Sequence, residues 1–325
     1  MQIAPVKSPK VIAGSLLLVV AAIAGIGIYL WHHPDLIGHV RGISPGAASL
    51  LFLMSVAVLA VNGLYLRIFA KKFDMNLHIK EWFGLAAVTA MGNYLAPFSG
   101  GLVARAAYLK HRYDFPYAHF LAMLAANYMI AFAVISVTGV VVMLTLSGTE
   151  NYSWLVLFFF LAALVTVLLV SFFPSIIMGS KNRLLCMAQS ALEGLAIIRR
   201  DRVLLGKLVA LTFFNITIGA LLFFVVFGSI GLTVPFRTAL LIYLMTSFTI
   251  LINVTPGNLG VQEAATSFAA AILGAGADMG LLASLIIRAV TILTAFALGP
   301  HFSYLLSKEL IAVRDVSQCD QKKVS

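Results

Sequence analysis

Asn93-Tyr94-Leu95-Ala96-Pro97-Phe98-Ser99-Gly100-Gly101 and Asn253-Val254-Thr255-Pro256-Gly257-Asn258-Leu259-Gly260 each interrupt an apolar segment of helical length. Both run Asn, then Pro, then Gly, and a lone charge follows each, Arg105 in the first and Glu263 in the second. Hydrocarbon cannot satisfy loose backbone N–H and C=O groups, so non-helical chain at membrane depth is tolerated only where protein packs around it or a cavity lies beside it. Paired interruptions in two halves of a chain point to a transport site.

The surrounding composition supports a membrane setting. The 325 residues are 61% hydrophobic and 10% charged, with a mean hydropathy of +1.01, outside the range of soluble domains. The stretches from Tyr117 to Thr149 and from Ser153 to Ser180 carry no formal charge, and both exceed the ~18 residues that suggest a spanning helix. The formal net charge of +10 does not indicate a nucleic-acid partner, because the basic residues sit in short runs between apolar segments. These runs are Lys7 and Lys10; Arg67, Lys71, Lys72 and Lys80; Lys110 and Arg112; Lys181 to Lys207; and Lys308 to Lys323. The positive-inside rule places these loops and both termini in the cytoplasm, where anionic lipid is their natural partner. Cys186 and Cys319 fall on that reducing side and are too few for a disulfide framework or a cysteine metal site. Val11–Leu30 follows Lys7 and Lys10 as a signal peptide would, but its length and the lack of a cleavage signal make it an uncleaved anchor.

With sidedness fixed, Val11–Leu30 goes out and Ala47–Phe69 returns. Trp82–Leu109 enters from the cytoplasm, turns at Pro97–Gly101 and goes back. Tyr117–Leu146 goes out and Trp154–Phe173 returns. In the second half Lys207–Phe227 goes out, Thr238–Leu273 forms a hairpin from outside, and Leu281–Leu306 comes in. The expected fold is an all-α polytopic membrane protein, an inverted repeat of about six full spans and two opposed re-entrant hairpins. It forms one integral membrane domain: residues 1–180 are the first half, 181–206 a linker and 207–325 the second half with a short cytoplasmic tail. Within the linker, apolar residues recur at helical spacing over Asn182–Arg202, either as an amphipathic helix on the membrane surface or as one packed on the bundle.

Each break is expected to launch a short helix. Thr255 reads as an N-cap with Pro256 at the first helical position, and Ser99 as the cap of a helix from Gly100. Gly100, Gly101, Gly257 and Gly260 let another group approach the backbone. A helix N-terminus carries roughly +0.5 of partial charge and favours anions. Arg105 and Glu263 are the single charges of their hairpins, which marks them as functional and makes each the simplest partner of the other. A purely structural pair and a phosphate-holding Arg105 with a gating Glu263 both fit. Arg288, the single formal charge of its span, either snorkels to headgroups or faces the site. Asn93 and Asn253 are expected to satisfy freed backbone groups. Asn127 and Asn215 fit interhelical hydrogen bonds, and the run Phe158 to Phe160 fits lipid contact or bundle packing. G-x-x-x-x-G-K-[ST] and H-E-x-x-H are absent, the predicted spans hold no aspartate, and no cofactor or metal is indicated. The leading function is translocation of an anionic lipid headgroup; the alternative is a membrane-embedded lipid-modifying transferase with Glu263 as general base. Homo-oligomerisation is left open.

Asn93-x3-Pro97-x2-Gly100-Gly101-x3-Arg105 and Thr255-Pro256-Gly257-x-Leu259-Gly260-x2-Glu263-Ala264, with Arg288 in a late helix, resemble the signature stretches of the lysylphosphatidylglycerol synthase transmembrane-region (flippase) family. The likeness runs over nearly the whole chain and is to stand-alone YbhN/AglD-type members. It implies lipid translocation in a prokaryotic cytoplasmic membrane, with Arg105, Glu263 and Arg288 as site residues and the break glycines contributing backbone. The chain ends shortly after its last expected span, leaving no room for the soluble aminoacyl-transferase domain of two-domain members, so lysine transfer is not expected.

Overall fold

The computed structural model describes residues 42–96, 99–146, 153–172, 201–252 and 254–324, side chains as far as 310, and isolated positions between 24 and 39. Most of the expected first span, nearly all of the linker helix, Pro97, Phe98 and Asn253 lie outside the described residues. Among those described, every regular element is a helix. In chain order these are α1 (Pro45–Lys72), α2 (Ile79–Leu95), α3 (Gly100–Tyr113), α4 (Tyr117–Thr145), α5 (Trp154–Phe172), α6 (Arg202–Ser229), α7 (Phe236–Ser247), α8 (Val261–Ile272) and α9 (Ala277–Val324). Five helices are long and apolar enough to cross a membrane: α1, α4, α5, α6 and the stretch of α9 to Leu310. The protein is an all-α polytopic membrane protein.

Local chemistry sets the boundaries. Ser44 Oγ accepts the Ala47 N–H at 3.2 Å and Pro45 opens α1, a capped start with proline where no N–H is needed. Gly42-Ile43-Ser44-Pro45-Gly46 fits the G-x-S-x-G letter pattern of serine hydrolases, but a nucleophile elbow sits on a strand-to-helix turn. Ser44 follows no strand among the described residues, and its hydroxyl is a helix cap. Lys71 and Lys72 close α1, where cations complement the helix dipole. Asp201 opens α6: its Oδ1 accepts from Leu204 N–H at 3.0 Å and its Oδ2 pairs with Lys72 at 2.7 Å. The Lys72 ammonium first, then the backbone donors, hold this carboxyl below the usual range. α9 differs from expectation at its end, running past Leu306 to Val324. Ser307 to Val324 contains no glycine or proline, so nothing in its composition stops the helix.

The chain forms two compact units. One takes residues 1–56, 89–102 and 219–295, and the other 57–88, 103–218 and 296–325. In the second unit α4 and α5 pack closely, with Gly139 against the ring of the fully buried Phe160. Phe158 on the same helix is 63% exposed, so the aromatic run both packs inward and presents an apolar face outward. Tyr65 donates to Thr212 Oγ1 at 2.9 Å and fastens α1 to α6, while Arg67 lies over the Trp82 ring. In the first unit, Gly280 of α9 lies against Ala270 and the Thr266 carbonyl of α8.

The first break turns the chain back on itself. Glu81, at the start of α2, meets Tyr108 and Tyr113 near the end of α3, and Gly92 lies against Gly101. α2 and α3 therefore form a helical hairpin. Its tip is so close that a Cβ on Gly101 would stand 1.9 Å from the Thr89 carbonyl oxygen. Gly101→Ala must push the two backbones apart and is expected to lower the thermal midpoint of the purified protein by several degrees or prevent its recovery. Gly206, inside α6, has nothing within 4 Å of the place a Cβ would take, so Gly206→Ala is expected to stabilise by about 0.5–1 kcal/mol through helix propensity. Thermal unfolding of both variants in detergent reads this contrast, and equal effects would refute the tight tip.

Candidate functional site

At the first break α2 ends at Leu95, Ala96 donates its N–H to Gly92 O, and α3 begins at Gly100. Four N–H groups at a helix start have no partner within the helix. Asn93 Oδ1 reaches across the turn and accepts the Gly101 N–H at 3.1 Å. Asn93 thus serves the freed backbone, as the satisfaction argument expected. Ser99 stands just before the helix in a left-handed conformation, φ +60, whereas an N-cap residue is ordinarily extended. The side-chain cap shown on α3 is the Asn93 amide.

The second break is longer. α7 passes into a 3-10 turn, Phe248–Ile252, and a second short turn, Pro256–Asn258, precedes α8. Thr255 occupies the expected cap position with Pro256 after it, yet its hydroxyl does not accept an N–H; it donates to the Leu259 carbonyl at 2.8 Å. The stable helix starts five residues later, because Gly257 (φ +60), Asn258 (φ +59) and Gly260 (φ +88) take left-handed backbone and carry the chain through another turn. Gly260 is the cap residue of α8, and Glu263 Oε2 accepts its N–H at 2.7 Å. This is the glutamate half of a capping box.

The other Glu263 oxygen, Oε1, receives Arg288 Nε. The sequence reading made Arg105 the simplest partner of Glu263 without settling the pairing; the guanidinium on Oε1 belongs to Arg288. Arg288 also donates from Nη1 to Gly257 O at 2.7 Å and from Nη2 to Asn258 O at 3.3 Å and Gln262 Oε1 at 3.4 Å. The pair is deeply buried, Glu263 2% and Arg288 7% exposed. Snorkelling of Arg288 to headgroups is therefore excluded: its fork bonds the carbonyls that the break strips from the helix ladder.

The two breaks meet within the first unit. The Tyr94 ring fills the space over Gly257, where a Cβ would stand 2.4 Å from Tyr94 Cδ1, and the Tyr94 hydroxyl bonds Thr291 Oγ1 at 3.0 Å. That unit holds Asn93, Ser99, Gly100, Gly101, Thr255, Gly257, Gly260, Glu263 and Arg288. Arg105 falls in the other unit, 9% exposed on α3 and within electrostatic reach of Tyr128 on α4.

Two sets of residues escaped the sequence reading. Glu81, 2% exposed, accepts from Tyr108 at 3.0 Å, Tyr113 at 2.7 Å and the His78 N–H at 2.9 Å, with Arg112 Nε at 3.9 Å. It closes the base of the hairpin, and Tyr108 reaches Glu309 as well, at 3.1 Å. Its signal was its place three residues after the helix-capping His78. Asn258 went unmarked because asparagine beside glycine reads as a turn former. Asn127 and Asn215 differ from expectation: the Oδ1 atom of each is buried without a hydrogen-bond partner.

Removing one member of a buried ion pair leaves the other charge uncompensated, at about 3–5 kcal/mol. Glu263→Gln is expected to destabilise the protein by about that amount. Arg288→Met is expected to cost more, since it also strips donors from the Gly257 and Asn258 carbonyls. Thermal unfolding in detergent ranks the two, and the reverse order would show that the carbonyl contacts carry no weight.

Comparison with curated proteins finds no match. Residues 11–299 match the family model of the lysylphosphatidylglycerol synthase TM region, which covers most of the chain, and the protein belongs to that family of membrane regions associated with lipid.

Proposed function

We propose that the protein is a secondary, non-ATP translocator, a flippase, that moves an anionic lipid headgroup across the cytoplasmic membrane of a prokaryote while the tails stay in the bilayer. One observation carries this reading: the two breaks come together, with the Tyr94 ring at the end of α2 lying on Gly257 in the second break, whose carbonyl is held by a buried ion pair. Broken helices that expose backbone at membrane depth are how secondary transporters build substrate sites. On this reading the α2–α3 hairpin enters from the cytoplasm, since Lys80 and Lys110 flank its two ends, and the α7–α8 break enters from outside.

The roles divide by chemistry. Arg105, a buried cation in an apolar hairpin, takes the headgroup phosphate; an ionisable group at that depth is functional by default. Glu263 and Arg288 hold the second break in shape, so their effect on the substrate passes through the backbone they position. Asn93 and the glycines of the first tip do the same for the first. With Glu263 Oε1 given to Arg288 and Oε2 to the Gly260 N–H, both oxygens are already occupied, which disfavours the general-base role that a transferase needs.

Proteoliposomes carrying headgroup-labelled anionic lipids and a membrane-impermeant quencher test this. The expected result is protein-dependent translocation that Arg105→Ala reduces by about tenfold or more, the scale of one lost charge-assisted hydrogen bond. Arg105→Lys, which keeps the charge, is expected to recover part of the rate. Folded protein that moves no anionic lipid would overturn the reading, as would Arg105→Ala at the wild-type rate.

A further inference from the structure

A contact that opens and closes during transport must be weak, and its parting must leave no buried charge alone. The ion pair of the second break fails on both counts. Arg288 meets Glu263 and the Gly257 and Asn258 carbonyls, so parting there would strand a cation and a carboxylate together. The contact between the two breaks is of another kind. Tyr94, near the end of α2, lays its ring on Gly257, and its hydroxyl bonds Thr291 Oγ1 of α9 at 3.0 Å. No formal charge takes part in it.

The direction of that bond follows from a proton count. A hydroxyl has one hydrogen and two lone pairs. The Thr291 hydrogen goes to the Arg288 carbonyl at 2.9 Å, so Thr291 accepts and Tyr94 donates. Tyr94 is therefore a donor resting on a neutral acceptor. All the residues of the contact, Tyr94, Gly257 and Thr291, lie in the unit that holds both breaks, and all are half-buried, whereas Glu263 is sealed in. Apolar side chains along the chain on either side are exposed: Leu95, next to Tyr94, by 65%, and Leu251 and Ile252, in the 3-10 turn of the second break, by 66% and 56%. In a bilayer these are surfaces for acyl chains, beside a tyrosine that a headgroup can reach.

We propose that Tyr94 latches the two breaks together, and that an anionic headgroup oxygen opens the latch by replacing Thr291 as the acceptor of the Tyr94 hydroxyl. The inference rests on the translocator reading for its ligand and adds a moving part to it. A hydrogen bond to an ionised acceptor is roughly twice as strong as one between neutral groups. A phosphate oxygen therefore displaces the threonine, while a neutral lipid gains nothing by the exchange. Thr291 keeps its bond to the Arg288 carbonyl when the latch opens, and the Glu263–Arg288 pair is untouched, so the exchange leaves no group stranded. As the ring follows its hydroxyl away from Thr291, Gly257 loses its cover and the breaks are free to separate. Arg105 keeps the role proposed above; Tyr94 acts on the headgroup at the breaks.

The two partners of the latch are expected to shift binding in opposite directions. The full-length protein in detergent is titrated with dioctanoyl phosphatidate, and with dioctanoylglycerol as the control without phosphate; thermal stabilisation gives the half-saturating concentration. Thr291→Val removes the competing acceptor and leaves the Tyr94 donor free. It is expected to tighten phosphatidate binding by about three- to tenfold, the scale of one neutral hydrogen bond that no longer has to be broken. Tyr94→Phe keeps the ring on Gly257 and removes the donor, and is expected to weaken binding by about fivefold, since the stronger bond to the anion goes with the weaker one to threonine. Thr291→Ser, which keeps the hydroxyl, is expected to bind as the wild type does. A bond that serves packing alone would make Tyr94→Phe and Thr291→Val alike, because each removes the same contact. Shifts in one direction, or none in either variant, overturn the latch, as does a wild type that responds to dioctanoylglycerol as strongly as to phosphatidate. Translocation by the same proteins in proteoliposomes is read separately. Opposite shifts without any translocation leave the latch standing and remove the translocator reading; translocation with like shifts does the reverse.

Discussion

Backbone freed from a helix must find partners, and in this protein the second break finds them in one guanidinium. Arg288 meets a carboxylate and two main-chain carbonyls at once, which a lysine ammonium cannot match, because only the planar fork presents donors in several fixed directions. Burying that cation is unfavourable unless a counter-charge and hydrogen bonds accompany it. Glu263 provides the charge, and its second oxygen caps the helix that the break launches. One ion pair therefore ties α8, α9 and the irregular chain between α7 and α8, and the left-handed turn through Gly257, Asn258 and Gly260 depends on it.

The two breaks share a composition but meet the same requirement differently. In the first, among the described residues, a neutral amide caps the helix: Asn93 bonds the Gly101 N–H, and Gly101 lies against the Thr89 carbonyl. The turn is short, so few groups are freed. In the second, the chain spends more residues out of helix, and the number of stranded carbonyls calls for a charged donor. Tyr94 joins them, its ring occupying the space left by the absent Gly257 side chain.

The helices were legible in the sequence because long apolar runs bounded by basic residues leave little choice of element, and α4, α5 and α6 begin and end close to where those runs do. That the chain turns between α2 and α3 was legible from the proline and glycines at Pro97–Gly101. Partner choice was not. Arg105 and Glu263 are single charges in matching positions of similar motifs, and symmetry of sequence suggested that they pair. The short link from α8 to α9 returns Arg288 against Glu263, a pairing that the symmetry of the motifs did not suggest. Thr255-Pro256 carried a strong helix-start signal, yet the next residues tolerate left-handed backbone and the helix waited for Gly260. The spacing from Gly260 to Glu263, that of a capping box, was the cue that would have placed the start correctly. Glu81 lay just outside the expected hairpin, so a search confined to charges inside apolar segments passed over it.

The saturation of the second break bears on what its unit can recognise. Its buried charges among the described residues are Glu263 and Arg288, which cancel, and nearly all of their hydrogen-bonding capacity is used internally. A site of this kind attracts neither anions nor cations over distance, and it distinguishes ligands through short, directional contacts to neutral atoms. The phosphate contact of the proposed function is assigned to Arg105, a buried cation of the other unit. The ion pair is retained in an apolar setting because it keeps the break in one shape: its carboxylate caps α8, and its guanidinium holds the Gly257 and Asn258 carbonyls.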